Sequence, residues 1–211
     1  MKKLVLVALL AMFFYLGGHA QDTVRLIHKD YISVFSKSKR YPVLVEWWAT
    51  RANLTCATKA KRGDKFIPDP KLPAETNLQA DYVGTGFDRG HNFPAADAAC
   101  DQVANDESFY FSNMTAQYPS LNRGDWKSLE TLVRDFAVKE DSVHVWCGSV
   151  GVAKKIGTTS VPTQCWKVIY FKKSKEWMAF LFDNNTSKAD GLKNNEATLE
   201  DIQKLTGFKF K

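Results

Sequence analysis

Asn122-Arg123-Gly124-Asp125-Trp126-Lys127-Ser128-Leu129-Glu130-Thr131-Leu132-Val133-Arg134-Asp135-Phe136 decides the fold. Trp126, Leu129, Val133 and Phe136 recur at intervals of three, four and three, the single apolar stripe of an amphipathic helix. Strand-like segments lie on both sides of it. Upstream, Tyr41–Trp48 is rich in β-branched and aromatic residues, and Ala52–Cys56 reads as its hairpin partner. Asp106–Ser112 reads as a short buried strand. Downstream, strands are expected at Val143–Trp146, Val168–Phe171 and Trp177–Phe182, then a short helix over Leu199–Leu205 capped by Thr198. Residues 58–81, with Gly63, Pro68, Pro70 and Pro73, read as a long surface loop. Strands, a helix and more strands, without βαβ alternation, predict an α+β domain: a mainly antiparallel sheet flanked by helices.

The 211 residues are 45% hydrophobic and 25% charged, which excludes a disordered or low-complexity chain and suits one domain. Lys2 and Lys3 precede an apolar run over Leu4–Leu16, and Gly17-Gly18-His19-Ala20 supplies small residues for cleavage. Residues 1–20 therefore read as a signal peptide and 21–211 as the mature domain, secreted or periplasmic and free of the membrane after cleavage. The run is shorter than the roughly 18 to 20 residues of a spanning helix. Loss of two lysines takes the net charge from +6 to +4, compatible with a polyanionic partner without requiring one. Cys56, Cys100, Cys147 and Cys165 are an even set in an oxidising compartment, so two disulfides are expected, with Cys147–Cys165 the preferred pairing. No C-x-x-C pair favours zinc.

Chemistry concentrates in two places. In Gly86-Phe87-Asp88-Arg89-Gly90-His91-Asn92, a carboxylate, a guanidinium and an imidazole crowd around a glycine. An imidazole can take a proton from water near neutral pH, and a guanidinium fork can meet a phosphate. His28 and His144 lack such neighbours and read as structural or exposed. Further on, Asn122 opens the predicted helix and Glu130 lies eight residues along, about 80° round the axis. Both can border one cleft, and an amide oxygen with a nearby carboxylate suits a hydrated Mg²⁺. Asn122 as a plain N-cap and Glu130 as a solvated face is the competing assignment.

The Asp88-Arg89-Gly90-His91 signature, the Tyr110-Phe111-Ser112-Asn113 segment, Leu121-Asn122-x-Gly-x-Trp126 and Leu129-Glu130 come in an order that resembles one family. Cys165–Ile169 and Ala179–Phe182 continue the likeness, which spans roughly residues 62–182. The family is that of the DNA/RNA non-specific endonucleases, in the ββα-metal (His-Me finger) superfamily with Serratia-type nuclease and mitochondrial endonuclease G. The resemblance implies a metal-dependent enzyme that hydrolyses phosphodiester bonds of DNA and RNA through backbone contacts. It implies His91 as general base and Asn122 as the one direct protein ligand of Mg²⁺, with Mn²⁺ an acceptable substitute. Glu130 would hold a metal-bound water, Asn113 would line the site and help orient the histidine, and Arg89 and Arg62 would clamp phosphate, with Arg51 and Lys61 the competitors for the place of Arg62. The sequence departs from the family pattern at Asn92-Phe93-Pro94 and at Ala116, where Asn-x-x-Pro-Gln is usual. A catalytically silent nucleic-acid-binding protein on the same scaffold and a secreted interaction domain are the alternatives.

Overall fold

The computed structural model of the protein describes residues 22–185 and 190–210; the leader over residues 1–20 lies outside them. In chain order the elements are β1 (Thr23–Ile27), β2 (Ile32–Ser36), β3 (Tyr41–Thr50), α1 (Arg51–Leu54), α2 (Gln79–Tyr82) and β4 (Asp88–His91). There follow α3 (Gln102–Glu107), β5 (Met114–Gln117), α4 (Pro119–Leu121), α5 (Lys127–Glu140), β6 (Ser142–Val150), β7 (Lys154–Ile156) and β8 (Thr159–Val161). The last are β9 (Gln164–Phe171), β10 (Glu176–Asp183), β11 (Glu196–Ala197) and α6 (Leu199–Thr206).

Seven strands form one antiparallel sheet in the order β1-β2-β3-β6-β9-β10-β11, the α+β architecture expected from the sequence. Period-two alternation gives this sheet two apolar faces. Val45, Trp47, Val143, Val145, Ile169 and Phe180 face the helical layer and pack with Trp126, Leu129, Val133 and Ala137. Leu44, Trp146, Trp166 and Val168 face the other way and are covered by Ile202 of α6 and by Phe210. The helical stripe is thus core: Trp126, Leu129 and Val133 are fully buried, and cutting one to alanine costs about 2–5 kcal/mol. Thr198 caps α6 in a reciprocal box with Asp201.

The second unit is a two-stranded sheet, β4 with β5, followed by the helix: a ββα arrangement laid beside the large sheet.

Four expectations need correction. Ala52–Cys56 is not a strand; β3 runs on to Thr50, whose hydroxyl accepts the Asn53 N–H and starts the helical turn α1, and β3 pairs with β2 and β6 instead. Asp106–Ser112 is not a strand either. Asp101 caps α3 through the Ala104 N–H, a 3₁₀ turn covers Phe111–Asn113, and the strand begins only at Met114. Burial of Phe109 and Phe111 on either side of Tyr110 mimics strand alternation, yet Tyr110 makes one isolated bridge, to Ile67. The 58–81 loop is less superficial than expected, since Asp69, Thr76 and Leu78 are wholly buried.

The preferred disulfide is also wrong. Cys56 and Cys100 are bonded, whereas Cys147 and Cys165 are free and buried. In the β6–β9 register Cys147 faces Lys167 and Cys165 faces Ser149, so these two thiols sit diagonally on the core face rather than opposite one another.

Candidate active site

β4 carries the signature. Arg89 pairs with Ala116, Gly90 with Thr115 and His91 with Met114. Arg89 and His91, two apart, project from one face toward Phe66. Gly90 between them is a packing requirement: a Cβ there would lie 2.0 Å from Gln117 Oε1 and 2.5 Å from its Cδ.

His91 is held from several sides. Its ring stands edge-on to Phe109 at 4.9 Å and tilted to Phe66 at 5.7 Å. Its carbonyl accepts the Trp126 indole N–H at 3.0 Å, which ties the strand to the helix. Burial, reinforced by the Arg62 charge and opposed by Asp64, pulls the imidazole pKa down to about 3, so the ring is neutral at physiological pH. Nε2 is buried and has no protein hydrogen-bond partner.

Asn113 lies beneath, fully buried, instead of lining the opening. Its Oδ1 accepts the Phe93 N–H at 2.8 Å, and its Nδ2 donates to the carbonyls of Phe93 (2.9 Å) and Ser108 (2.8 Å). Its own carbonyl accepts from the Asn92 backbone and side chain. The amide therefore staples the chain leaving His91 and touches no reacting group directly.

Asn122 does not cap the helix. Helical backbone starts at Pro119, and Asn122 lies inside a π-turn, Asn122–Trp126, that kinks at Gly124 before α5 continues. Such turns are frequent at functional sites. Asn122 Nδ2 donates to Asp88 Oδ2 at 2.8 Å, and Arg123 grips the same carboxylate through both oxygens. Burial alone would raise the Asp88 carboxyl, but these hydrogen bonds, with the charges of Arg123 and Arg89, hold it below its ordinary value. A carboxylate accepting from Nδ2 fixes the amide so that Oδ1 points away from it.

The Arg89 guanidinium lies between the rings of Phe66 (5.3 Å) and Tyr82 (5.2 Å), and no carboxylate among the described residues comes within ion-pair distance. Arg62 lies 5.0 Å from the Phe109 ring and is ion-paired with Asp64 at 2.7 Å in an exposed contact. One cleft of about 330 Å³ is lined by Arg62, Arg89, His91 and Asn122, with Phe66 and Asp88 in its wall.

Glu130 is half-buried and does not line that cleft. Burial, with the nearby Asp97 carboxylate, pushes its pKa up to about 7, while Lys167, Arg134 and Arg62 pull the other way. It belongs to a buried charge network that sequence reasoning missed. Trp47 and Arg134 both bond Asp97, and the fully buried Lys167 ammonium sits 4.1 Å from the Trp126 ring centroid without a hydrogen-bond partner. The signal was present: Lys167 interrupts Cys165-Trp166-Lys167-Val168-Ile169 at a core-facing position. His28 pairs with buried Asp69 and His144 stacks on Trp48, both away from the cleft.

The donor chemistry suits a hard cation. Asn122 lines the cleft with its Nδ2 committed to Asp88, which leaves its amide oxygen for a cation, and His91 lines the same cleft with a buried Nε2 that has no protein partner. No group of three His, Cys, Asp or Glu side chains gathers as a metal cage among the described residues. A cation with one protein oxygen and a shell of water is how Mg²⁺ is commonly bound.

A family model described as DNA/RNA non-specific endonuclease matches residues 13–211. The chain belongs to that family. The endonuclease is 31% identical to "Nuclease 1, mitochondrial" of Schizosaccharomyces pombe, over 93% of this chain and 69% of the relative. It is 32% identical to "Nuclease C1" of Cunninghamella echinulata, over 92% and 84%, and 37% identical to "Nuclease" of Serratia marcescens, over 66% and 58%. A solved structure described as "Crystal structure of the EndoG/EndoGI complex: Mechanism of EndoG inhibition" superposes with a TM-score of 0.81. It shares 24% identity and covers 88% of this chain and 84% of that one, a likeness of fold. The endonuclease is a hydrolase of nucleic-acid phosphodiester bonds.

Proposed function

We propose that the endonuclease cleaves DNA and RNA without regard to sugar, using His91 as general base and Asn122 as the protein ligand of Mg²⁺, for which Mn²⁺ can substitute. The carrying observation is that a neutral imidazole with an unpartnered Nε2 and an amide with its Nδ2 committed to Asp88 line the same cleft. His91 takes a proton from the attacking water as its oxygen adds to phosphorus; the P–O bond to the sugar oxygen on the opposite side breaks, and that oxygen leaves with a proton from solvent water. Arg89, free of carboxylates and held between two rings, binds the non-bridging oxygens and stabilises their growing charge. Arg62 exchanges Asp64 for phosphate. Trp126 acts on His91 through the His91 carbonyl, and Asn113 acts on it through the backbone of Phe93, two residues on. Glu130, although it does not line the cleft, would hold a water of the metal shell when the ion is bound. Asn122 would hold the Mg²⁺, which when bound would supply Lewis-acid charge to the phosphoryl group. Contacts to phosphate and not to base edges account for the lack of sequence preference. The apolar leader and the Cys56–Cys100 disulfide support secretion or a periplasmic location, with residues 21–211 as the mature enzyme.

Incubation with plasmid and with RNA, in Mg²⁺ or excess EDTA, tests this. Both polymers should be degraded in Mg²⁺, and His91→Ala should lower the rate by at least the roughly 10²- to 10⁴-fold of a general base. Unchanged cleavage in EDTA or in the variant refutes the assignment; binding without turnover points to a silent binder.

A further inference from the structure

Residues 151–161, Gly-Val-Ala-Lys-Lys-Ile-Gly-Thr-Thr-Ser-Val, form a hairpin that carries two lysines and no acid. It is anchored against the body of the protein. Ile156 and Val161 are buried with Phe87 and Phe111, and the hydroxyls of Thr158 and Thr159 both donate to Asp81 Oδ2, at 2.6 and 2.8 Å. Gly157, at φ +52°, makes the tight turn where a Cβ would lie 2.2 Å from that carboxylate.

The hairpin aims Lys154 at the edge of the cleft. Its Nζ lies 4.8 Å from the Phe87 ring centroid and 5.6 Å from that of Tyr118, and the two rings pack 4.5 Å apart. Phe87 walls the cleft, and the Tyr118 carbonyl accepts the Asn122 N–H at 3.0 Å. Lys154 is exposed, and no carboxylate among the described residues lies within ion-pair distance of it. Two aromatic faces hold the ammonium by cation–π contact, and no carboxylate neutralises it. Lys155, next along the strand, projects from the opposite face.

We propose that Lys154 is a subsite for the phosphate flanking the scissile one on the Phe87 side of the cleft, so that the substrate is a polynucleotide held at two successive phosphates and not an isolated diester. This rests on the phosphodiesterase reading above. Lys154 acts on binding and stays clear of the reacting atoms.

The test compares Lys154→Ala with Lys155→Ala, which removes the same charge from the other face, and with Lys154→Arg. Binding is read in the full chain carrying His91→Ala, by anisotropy of a fluorescein-labelled duplex of about 20 base pairs across a salt series. Lys154→Ala should make the slope of log affinity against log salt shallower by about 0.9, and Lys155→Ala should not. With His91 intact, Lys154→Ala should raise the KM for plasmid about fivefold at constant kcat, with bis(p-nitrophenyl) phosphate turnover at the wild-type level and recovery in Lys154→Arg. Equal slopes for the two alanine variants overturn the subsite, as does loss of turnover on the small diester, which marks a structural role. A chain that hydrolyses neither substrate yet shows the slope change refutes the phosphodiesterase reading and leaves Lys154 as a phosphate contact of a nucleic-acid binder, which overturns its place beside a scissile bond.

Discussion

Asn113→Ala should be among the most damaging single changes that leave the cleft surface intact. The side chain is fully buried and satisfies three main-chain groups: the Phe93 N–H, the Phe93 carbonyl and the Ser108 carbonyl. Alanine strands all three away from water. At about 1–1.5 kcal/mol for each unsatisfied group the loss is roughly 3–5 kcal/mol. A domain of this size holds about 5–15 kcal/mol in total, so the variant should fold marginally, with Tm lowered by about 10 °C. Asn113→Asp is the informative companion. One carboxylate oxygen can still accept from Phe93 N–H, but the other must face two carbonyls unless it binds a proton. Its native pKa is therefore raised, so the variant is relatively stable below the ordinary carboxylate range and loses stability as pH rises. Urea unfolding followed by tryptophan fluorescence at pH 5 and pH 8 reads both effects. Plasmid cleavage well below the lowered Tm should fall by about 10- to 100-fold, because the staple two residues from His91 has been removed. A cost under about 1 kcal/mol, or an unchanged kcat, would refute the positioning argument.

Gly90→Ala should cost about 1–3 kcal/mol by driving a Cβ into Gln117, and Gln117→Ala in the same chain should restore most of it in thermal melts. Breaking Cys56–Cys100, which closes a 44-residue separation, should cost about 4 kcal/mol by the loop-entropy relation. Cys147 and Cys165 should react with Ellman's reagent only after denaturation, since both are buried and burial holds the Cys147 thiol up at about 12. Glu130 titrates near 7 in the fold and near 4.5 when unfolded, so its burial is free of cost below about pH 4.5 and weighs against the fold as pH rises through 7. Glu130→Gln should thus gain up to about 3 kcal/mol relative to wild type at pH 8 and nothing at pH 4, in paired urea melts.

The large sheet was legible because Tyr41–Trp48, Val168–Phe171 and Trp177–Phe182 are short runs rich in β-branched and aromatic residues, buried on both faces of the sheet. The stripe from Trp126 to Phe136 was legible for the same reason at helical period. What failed were places where local rules compete with tertiary contacts. Thr50 and Asp101 start helical turns that end or displace expected strands, and Pro119 begins the helix before Asn122 can cap it. Cysteine pairing depends on register, which spacing does not encode. At the site, His91, Asn122 and Arg89 were readable as chemistry and Arg62 only through the family resemblance, and the structure gathers them in one cleft. The supports were not readable, because Asp88 orienting Asn122, Phe66 and Tyr82 holding Arg89, and Asn113 stapling Phe93 are side-chain contacts made only in the folded chain, most of them across 20 to 34 residues.

The claim on which the account depends is that Asn122 holds a divalent cation within reach of His91. Crystals soaked in Mn²⁺ and measured at its absorption edge test it directly. The account predicts one anomalous peak at the coordination distance of Asn122 Oδ1, about 2.0–2.2 Å, in the cleft shared with the His91 ring and absent from Asn122→Ala. A peak coordinated elsewhere, or one that persists unchanged in Asn122→Ala, would contradict it.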